Sequence, residues 1–370
     1  MNFDFTEEQQ AVRELSAQIF EGHATVERVK AVERSDDRVD RELWKALAAA
    51  NLLGIALPPD AGGSGFGIIE LCLLLEQQGR FVAPVPLWPT LVLGAAAVAR
   101  FGSPQQRERW LPGVVNGDAV LTAALAEPGE NDPTVSSVSA HREGTTWRLE
   151  GAKPSVPAGH VADAMLVPAR VADQTGTLGV FLVETTAAGV DRERAVTTNR
   201  EAVTHVRLDG APADLLATGA EAIGWMLDRS LVGLCAMQVG VAEAALRMAA
   251  EYTSNRHQFG KPLSTFQGVA LKAADAYIDT EAMRVTLWQA AWKLSEDRDA
   301  AADVLVAKWW ASEGGQRVVH TTQHLHGGLG ADVDYPIHRY FLWGKQIEDT
   351  LGGASATLAR LGTVLAGAKR

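Results

Sequence analysis

Residues 203–208 read Val-Thr-His-Val-Arg-Leu. In an extended chain, Thr204, Val206 and Leu208 share one face and Val203, His205 and Arg207 the other, the period of a half-buried strand. Short runs of similar texture at 147–149, 164–167 and 178–183 are bounded by Gly, Pro and Asp, so the stretch 118–216 reads as a β domain. Outward from it on both sides the period changes to helical. Toward the N-terminus, Thr6 can cap a helix with Gln9 three residues on, and Val12, Leu15 and Ile19 recur at helical spacing. Further helices are expected at 41–50, at 67–78 with a stop at Gly79, and after Ser103, which can cap with Pro104 at the first helical position. Toward the C-terminus, long helical patterns with few breakers cover 226–254, 268–295 and 300–325. The expected fold is mainly α with a central β domain, divided as 1–117, 118–216 and 217–370. Strands and helices that do not alternate argue against a doubly wound α/β sheet.

The chain has 370 residues, of which 47% are hydrophobic and 21% charged, the balance of a globular protein with a sizeable core. Lys plus Arg number 34 against 45 for Asp plus Glu, a net charge of −11 that disfavours nucleic acid and anionic lipid as partners. Two cysteines, Cys72 and Cys235, lie in apolar helical contexts, which fits a reducing cytoplasm and no disulfide framework. Residues 1–20 carry Asp4, Glu7 and Glu8 and do not have the form of a signal peptide. The uncharged stretch 81–99 is interrupted by Pro84, Pro86 and Pro89, leaving no membrane span there.

The glycines at 62, 63, 65 and 67 follow Pro58 and Pro59 instead of a strand, so they read as a loop leading into a helix, not as a dinucleotide fingerprint. His320 and His324 stand one turn apart near His326, but no Cys or nearby Glu completes a metal-ligand set, and no metal is expected. Trp309 and Trp310 read as packing residues of a core or a subunit face. Neither a nucleophile elbow nor a P-loop occurs. More informative is Asn255-Arg256-His257-Gln258-Phe259-Gly260-Lys261-Pro262-Leu263, followed by Phe266-Gln267, between two long helices. An arginine, an aromatic and an amide emerge there together, suited to a diphosphate and a planar ring. Downstream, His326-Gly327-Gly328-Leu329-Gly330 offers backbone that phosphate oxygens could approach.

Six segments in order, 5–12, 57–67, 126–129, 256–267, 326–330 and 335–339, resemble the acyl-CoA dehydrogenase family over essentially the whole chain. The resemblance implies an N-terminal helical domain, a middle β-barrel-like domain and a C-terminal four-helix bundle that mediates oligomerisation. It also implies FAD as cofactor, an acyl-CoA substrate, and a glutamate that removes the α-proton while the β-hydrogen leaves as hydride. One family location of that glutamate aligns with Gly352 in Leu351-Gly352-Gly353-Ala354-Ser355, and the other with Ser230. Neither residue is a base, so no catalytic residue is assigned. The segment that usually cradles the flavin ring reads Lys153-Pro154-Ser155-Val156-Pro157, and Pro157 has no amide to donate. Glu127-Pro128-Gly129 keeps a family signature, but with Ala126 before it and Asp132, a carboxylate that would repel CoA phosphate, after it.

By the same resemblance Arg256, Phe259, Gln267, Gly327 and Gly328 are retained contacts to the diphosphate and adenine end of a neighbouring subunit's FAD. The glutamine usual before the glycine pair aligns with His324, with Gln323 beside it, so His324 is not counted. What is kept faces a neighbour and what is lost would serve the chain itself. That pattern resembles the catalytically silent subunit of heteromeric, α2β2 acyl-CoA dehydrogenases of actinobacterial steroid side-chain β-oxidation. The partner would then be a homologous catalytic subunit holding most of the acyl-CoA site, with electron-transfer flavoprotein as acceptor. Two alternatives are a self-sufficient homomeric enzyme with a displaced base at Glu348 or Asp349, and a non-redox scaffold of the same fold.

Overall fold

The computed structural model describes residues 4–129, 135–172 and 177–367. Asp132 lies outside the described residues. In chain order the helices are α1 (Glu7–His23), α2 (Val26–Val32), α3 (Arg41–Ala49), α4 (Ile68–Phe81), α5 (Ala96–Phe101), α6 (Pro104–Val115), α7 (Ala220–Asn255), α8 (Gln267–Ser295), α9 (Ala301–Leu325), α10 (Ile337–Asp349) and α11 (Ala354–Gly367). The strands are β1 (Leu121–Ala123), β2 (Ser139–Glu143), β3 (Thr146–Pro157), β4 (Ala164–Val171), β5 (Leu178–Glu184), β6 (Val190–Val196), β7 (Ala202–Thr218), β8 (His257–Gln258) and β9 (Lys261–Pro262). A π-helical segment, Trp88–Ala95, runs directly into α5. Helical ends thus flank a central β region.

Two compact units form: 4–30, 68–83 and 231–367 make one, and 31–67 with 84–230 the other. The first is helical. Thr6 and Gln9 cap α1 reciprocally, and the buried face of Val12, Ser16 and Phe20 sets the Phe20 ring parallel to Phe81 of α4 at 6.1 Å. The expected stop at Gly79 is corrected here: α4 continues through it to Phe81. A Cβ at Gly79 would lie 2.0 Å from the Met237 carbonyl oxygen, so this glycine serves backbone contact between α4 and α7 and does not end the helix. Among the described residues α7 alone is long and apolar enough to cross a membrane, but 72% of its most apolar window is buried inside the protein. It is a core helix. Cys72 of α4 and Cys235 of α7 are buried free thiols.

The second unit holds the sheet. β2 pairs with β3, β3 with β7, β7 with β5, β5 with β4, and β4 back with β2, so the strands close on themselves. The interior is filled by Val138, Leu149, Val156, Val167, Phe181 and Val206 with their neighbours. In β7 Thr204, Val206 and Leu208 are buried while His205 and Arg207 are exposed, the alternation read from 203–208 except at Val203, which is also buried. β7 also carries β6 on its far stretch, pairing Val190 with Leu208 through Val196 with Ala202. Ser103 and Gln106 cap α6 with Pro104 at the first position.

Candidate functional site

The C-terminus of α7 delivers the first part of the site. The Arg256 amide donates to the Tyr252 carbonyl at 2.8 Å, and β8 then pairs with β9 across a two-residue turn. Both turn residues are left-handed, Phe259 at φ 53° and Gly260 at φ 78°. Such turns favour Asn-Gly, because an aromatic residue meets its own backbone at positive φ. Phe259 accepts that strain while standing 92% exposed, its ring edge-on to Phe266 at 6.2 Å. A strained, solvated aromatic calls for a functional reason.

The C-terminus of α9 delivers the second part. His326 is 2% exposed, and its Nδ1 lies 2.7 Å from the Thr322 carbonyl, which fixes the proton on that nitrogen. Its ring stacks on Tyr252 at 4.7 Å and inclines toward Tyr335 at 5.3 Å, while burial lowers its pKa against the opposing hydrogen bond to Thr322. The chain then enters a 3₁₀ turn, Gly327–Ala331, at φ 59° for Gly327. A Cβ at Gly327 or Gly328 would meet no atom within 4 Å, so this backbone is open to a ligand. The Gln323 side chain folds back to donate to the Gly330 carbonyl at 2.9 Å, leaving exposed His324 beside the turn.

Tyr252, Arg256, His324, His326, Gly327 and Gly328 line one cleft of about 550 Å³. The Arg256 guanidinium is exposed and has no hydrogen-bond or ion-pair partner among the described residues. An unengaged guanidinium facing side-chain-free backbone suits the two oxygens of a phosphate or diphosphate. The structure therefore brings three expected residues together, Arg256, Gly327 and Gly328. Phe259 stands at the hairpin tip and Gln267, also exposed, opens α8, both outside the lining of this cleft. Tyr252 was not anticipated, though it lies one helical turn before Arg256 and so on the same face, and His326 entered the sequence reading only as the head of the glycine segment and as one of three neighbouring histidines.

The two expected base positions hold no acid. Gly352 has φ 106° and offers only its carbonyl, which accepts from the Thr357 hydroxyl at 3.4 Å. Ser230 is fully buried, its hydroxyl donating to the Met226 carbonyl at 2.6 Å. Glu348 accepts from Lys345 at 2.5 Å on the same helix, and Lys345 also donates to Gln316 at 3.2 Å.

The segment 153–157 is equally occupied. Lys153 is buried in an ion pair with Glu127, whose other oxygen accepts from the Ser137 amide at 2.9 Å, and burial lowers the lysine's pKa against the pull of that carboxylate. A register shift between Lys153 and Val156 puts Ser155 at φ 50°, with its amide donating to His205 Nδ1 at 3.2 Å. Pro154 and Pro157 have no N–H to give. A flavin ring seeking donors here would find the Ser155 amide engaged and the prolines without one, and only the exposed Ser155 hydroxyl left, so the segment suits one poorly. His320 is edge-on to Phe341 at 4.8 Å, and among the described residues no group of three His, Cys, Asp or Glu could hold a metal.

Comparison with known proteins matches residues 6–118 to the family model described as acyl-CoA dehydrogenase, N-terminal domain, and 217–362 to that described as acyl-CoA dehydrogenase, C-terminal domain. Acyl-CoA dehydrogenase FadE27 of Mycobacterium tuberculosis is 41% identical over 99% of both chains. Among solved structures, a variant of the Tcur3481-Tcur3483 steroid ACAD superposes with TM-score 0.93 at 52% identity, over 98% of this chain and 99% of its own. The ChsE4-ChsE5 complex from Mycobacterium tuberculosis superposes with TM-score 0.94 at 41% identity, over 99% of both chains.

Proposed function

Because the chain belongs to the acyl-CoA dehydrogenase family, we propose that it is the non-catalytic subunit of a heteromeric, FAD-dependent enzyme that introduces an α,β double bond into a steroid side-chain acyl-CoA. The observation that carries this reading is the asymmetry between the exposed, unengaged Arg256 beside open Gly327 and Gly328 and the engaged or acid-free positions at 153–157, Ser230 and Gly352. Two solved relatives, one described as a steroid ACAD and one as a complex of two proteins, support the substrate class and the homologous partner. FAD, when bound, supplies the acceptor for the β-hydrogen after a carboxylate has taken the α-proton. This chain's part is to hold that cofactor from outside. Arg256 would hold the diphosphate, Gly327 and Gly328 would let it approach, and Phe259 and Gln267 would serve the adenine end. The partner supplies the base and most of the acyl-CoA site, electron-transfer flavoprotein is the acceptor, and the assembly is cytoplasmic. The division at 117 and 216 is supported by family-model spans that end at 118 and resume at 217.

Co-expression with its homologous partner is expected to give an α2β2 assembly with about two FAD per four chains, because only one kind of interface joins both halves of the site. One flavin on every chain, or acyl-CoA-dependent bleaching by this chain purified alone, would overturn the reading. The same measurement addresses the self-sufficient alternative at Glu348, which no observation favours, since that carboxylate is held by Lys345.

A further inference from the structure

We infer that Trp88, carried on the π-helical segment Trp88–Ala95, closes the base position at Ser230 by packing, so that this chain's own acyl slot is shut and not merely without its acid. The inference rests on the proposed reading of Ser230 as a base position. A base there must face space that an acyl chain can enter. Instead Ser230 is 0% exposed, its hydroxyl is turned to the Met226 carbonyl, and its own carbonyl accepts from the Trp88 indole N–H at 3.0 Å.

The ring is itself 5% exposed, and a side chain that large and anchored by its polar edge leaves no room beside the helix. The segment that carries it is buried at every residue, from Trp88 to Ala95. A π-helical run of eight residues is rare and widens the helix. It is tightly held: a Cβ at Gly94 would lie 2.4 Å from the Cβ of Leu121 in β1, so the segment packs against that strand with no space to spare at this glycine. Seen this way, the chain carries two separate locks, loss of the acid and a filled slot.

The test is chemical access to a thiol placed at the position. In the full-length chain, Ser230→Cys is treated with methyl methanethiosulfonate and the labelled peptide is followed by mass spectrometry, which separates it from Cys72 and Cys235. With Trp88 present, labelling is expected on the order of a hundredfold slower than in the denatured chain. Trp88→Ala should accelerate it about tenfold or more, while Trp88→Phe, which keeps most of the volume, should not. If the alanine variant does not fold, Trp88→Leu replaces it with the same expected acceleration. Fast labelling with Trp88 in place, or no acceleration in a folded truncation, overturns the inference. Failure of the underlying functional reading shows elsewhere, as turnover by the unmodified chain alone.

Discussion

Lys308 sits on α9 with no exposed surface, its ammonium donating to the carbonyls of Ile347 at 2.8 Å and Glu348 at 3.0 Å. Ser312, one turn on, donates to the same Glu348 carbonyl at 3.1 Å. Together they satisfy the last carbonyls of α10, which leads into the segment containing Gly352. Burial pulls the lysine's pKa down to about 8. Because the folded value lies below the unfolded one, the unfolded chain binds more protons between about pH 8 and pH 10, and stability rises with pH across that window. Below about pH 8 both states are charged and the full burial penalty is present. The limiting slope is about 1.4 kcal/mol per pH unit. Denaturant midpoints at pH 7.5 and 9.5 should therefore diverge in the wild type and converge in Lys308→Met; equal slopes in both would refute the assignment. Nothing in the sequence marks this lysine, since a charged residue in an amphipathic helix ordinarily points to water. The exposure of Arg256 was legible because it stands in a connection, where side chains are free of the core.

At the scale of elements, regular periods were readable and exceptions to them were not. Thr204 to Leu208 and the long C-terminal helices follow single periods, and each lies where the pattern places it. β6 escaped because Asp191, Arg192, Glu193 and Arg194 are exposed, so the strand has no apolar face and exists through its pairing with β7. Gly79 misled because a glycine needed for contact between two backbones looks, in sequence, like one that ends a helix. The β8–β9 hairpin shows a third case, in which a residue unsuited to its backbone is kept. Phe259→Asn would install the preferred turn residue, and the chain should be as stable as the wild type or up to about 1 kcal/mol more so. Cofactor retention by the co-purified assembly should nevertheless fall. A variant that gains stability and keeps its full FAD content would mean that the exposed ring does not touch the cofactor.

For the molecule as a whole, the family and the order of helical and β regions could be read from six short segments, whereas the contacts on which the proposed catalytic silence rests needed coordinates. Absence of an acid at Gly352 is visible in one letter. Engagement of the Ser155 amide by His205, burial of Lys153 against Glu127, and the hydrogen bond from the Trp88 indole to the Ser230 carbonyl join residues distant in sequence, and no local pattern announces them. Those features predict how the chain responds to repair. If silence came from the missing carboxylate alone, Gly352→Glu should confer dehydrogenation on the isolated chain. Three independent obstacles predict otherwise: φ 106° at that position strains any side chain, the 153–157 segment offers few free donors to a flavin, and Ser230 is buried with its carbonyl held by Trp88. Gly352→Glu, purified alone and supplied with FAD and acyl-CoA, should show no dye reduction above the wild-type background. Measurable turnover would show that the flavin pocket is intact and that one lost carboxylate accounts for the silence.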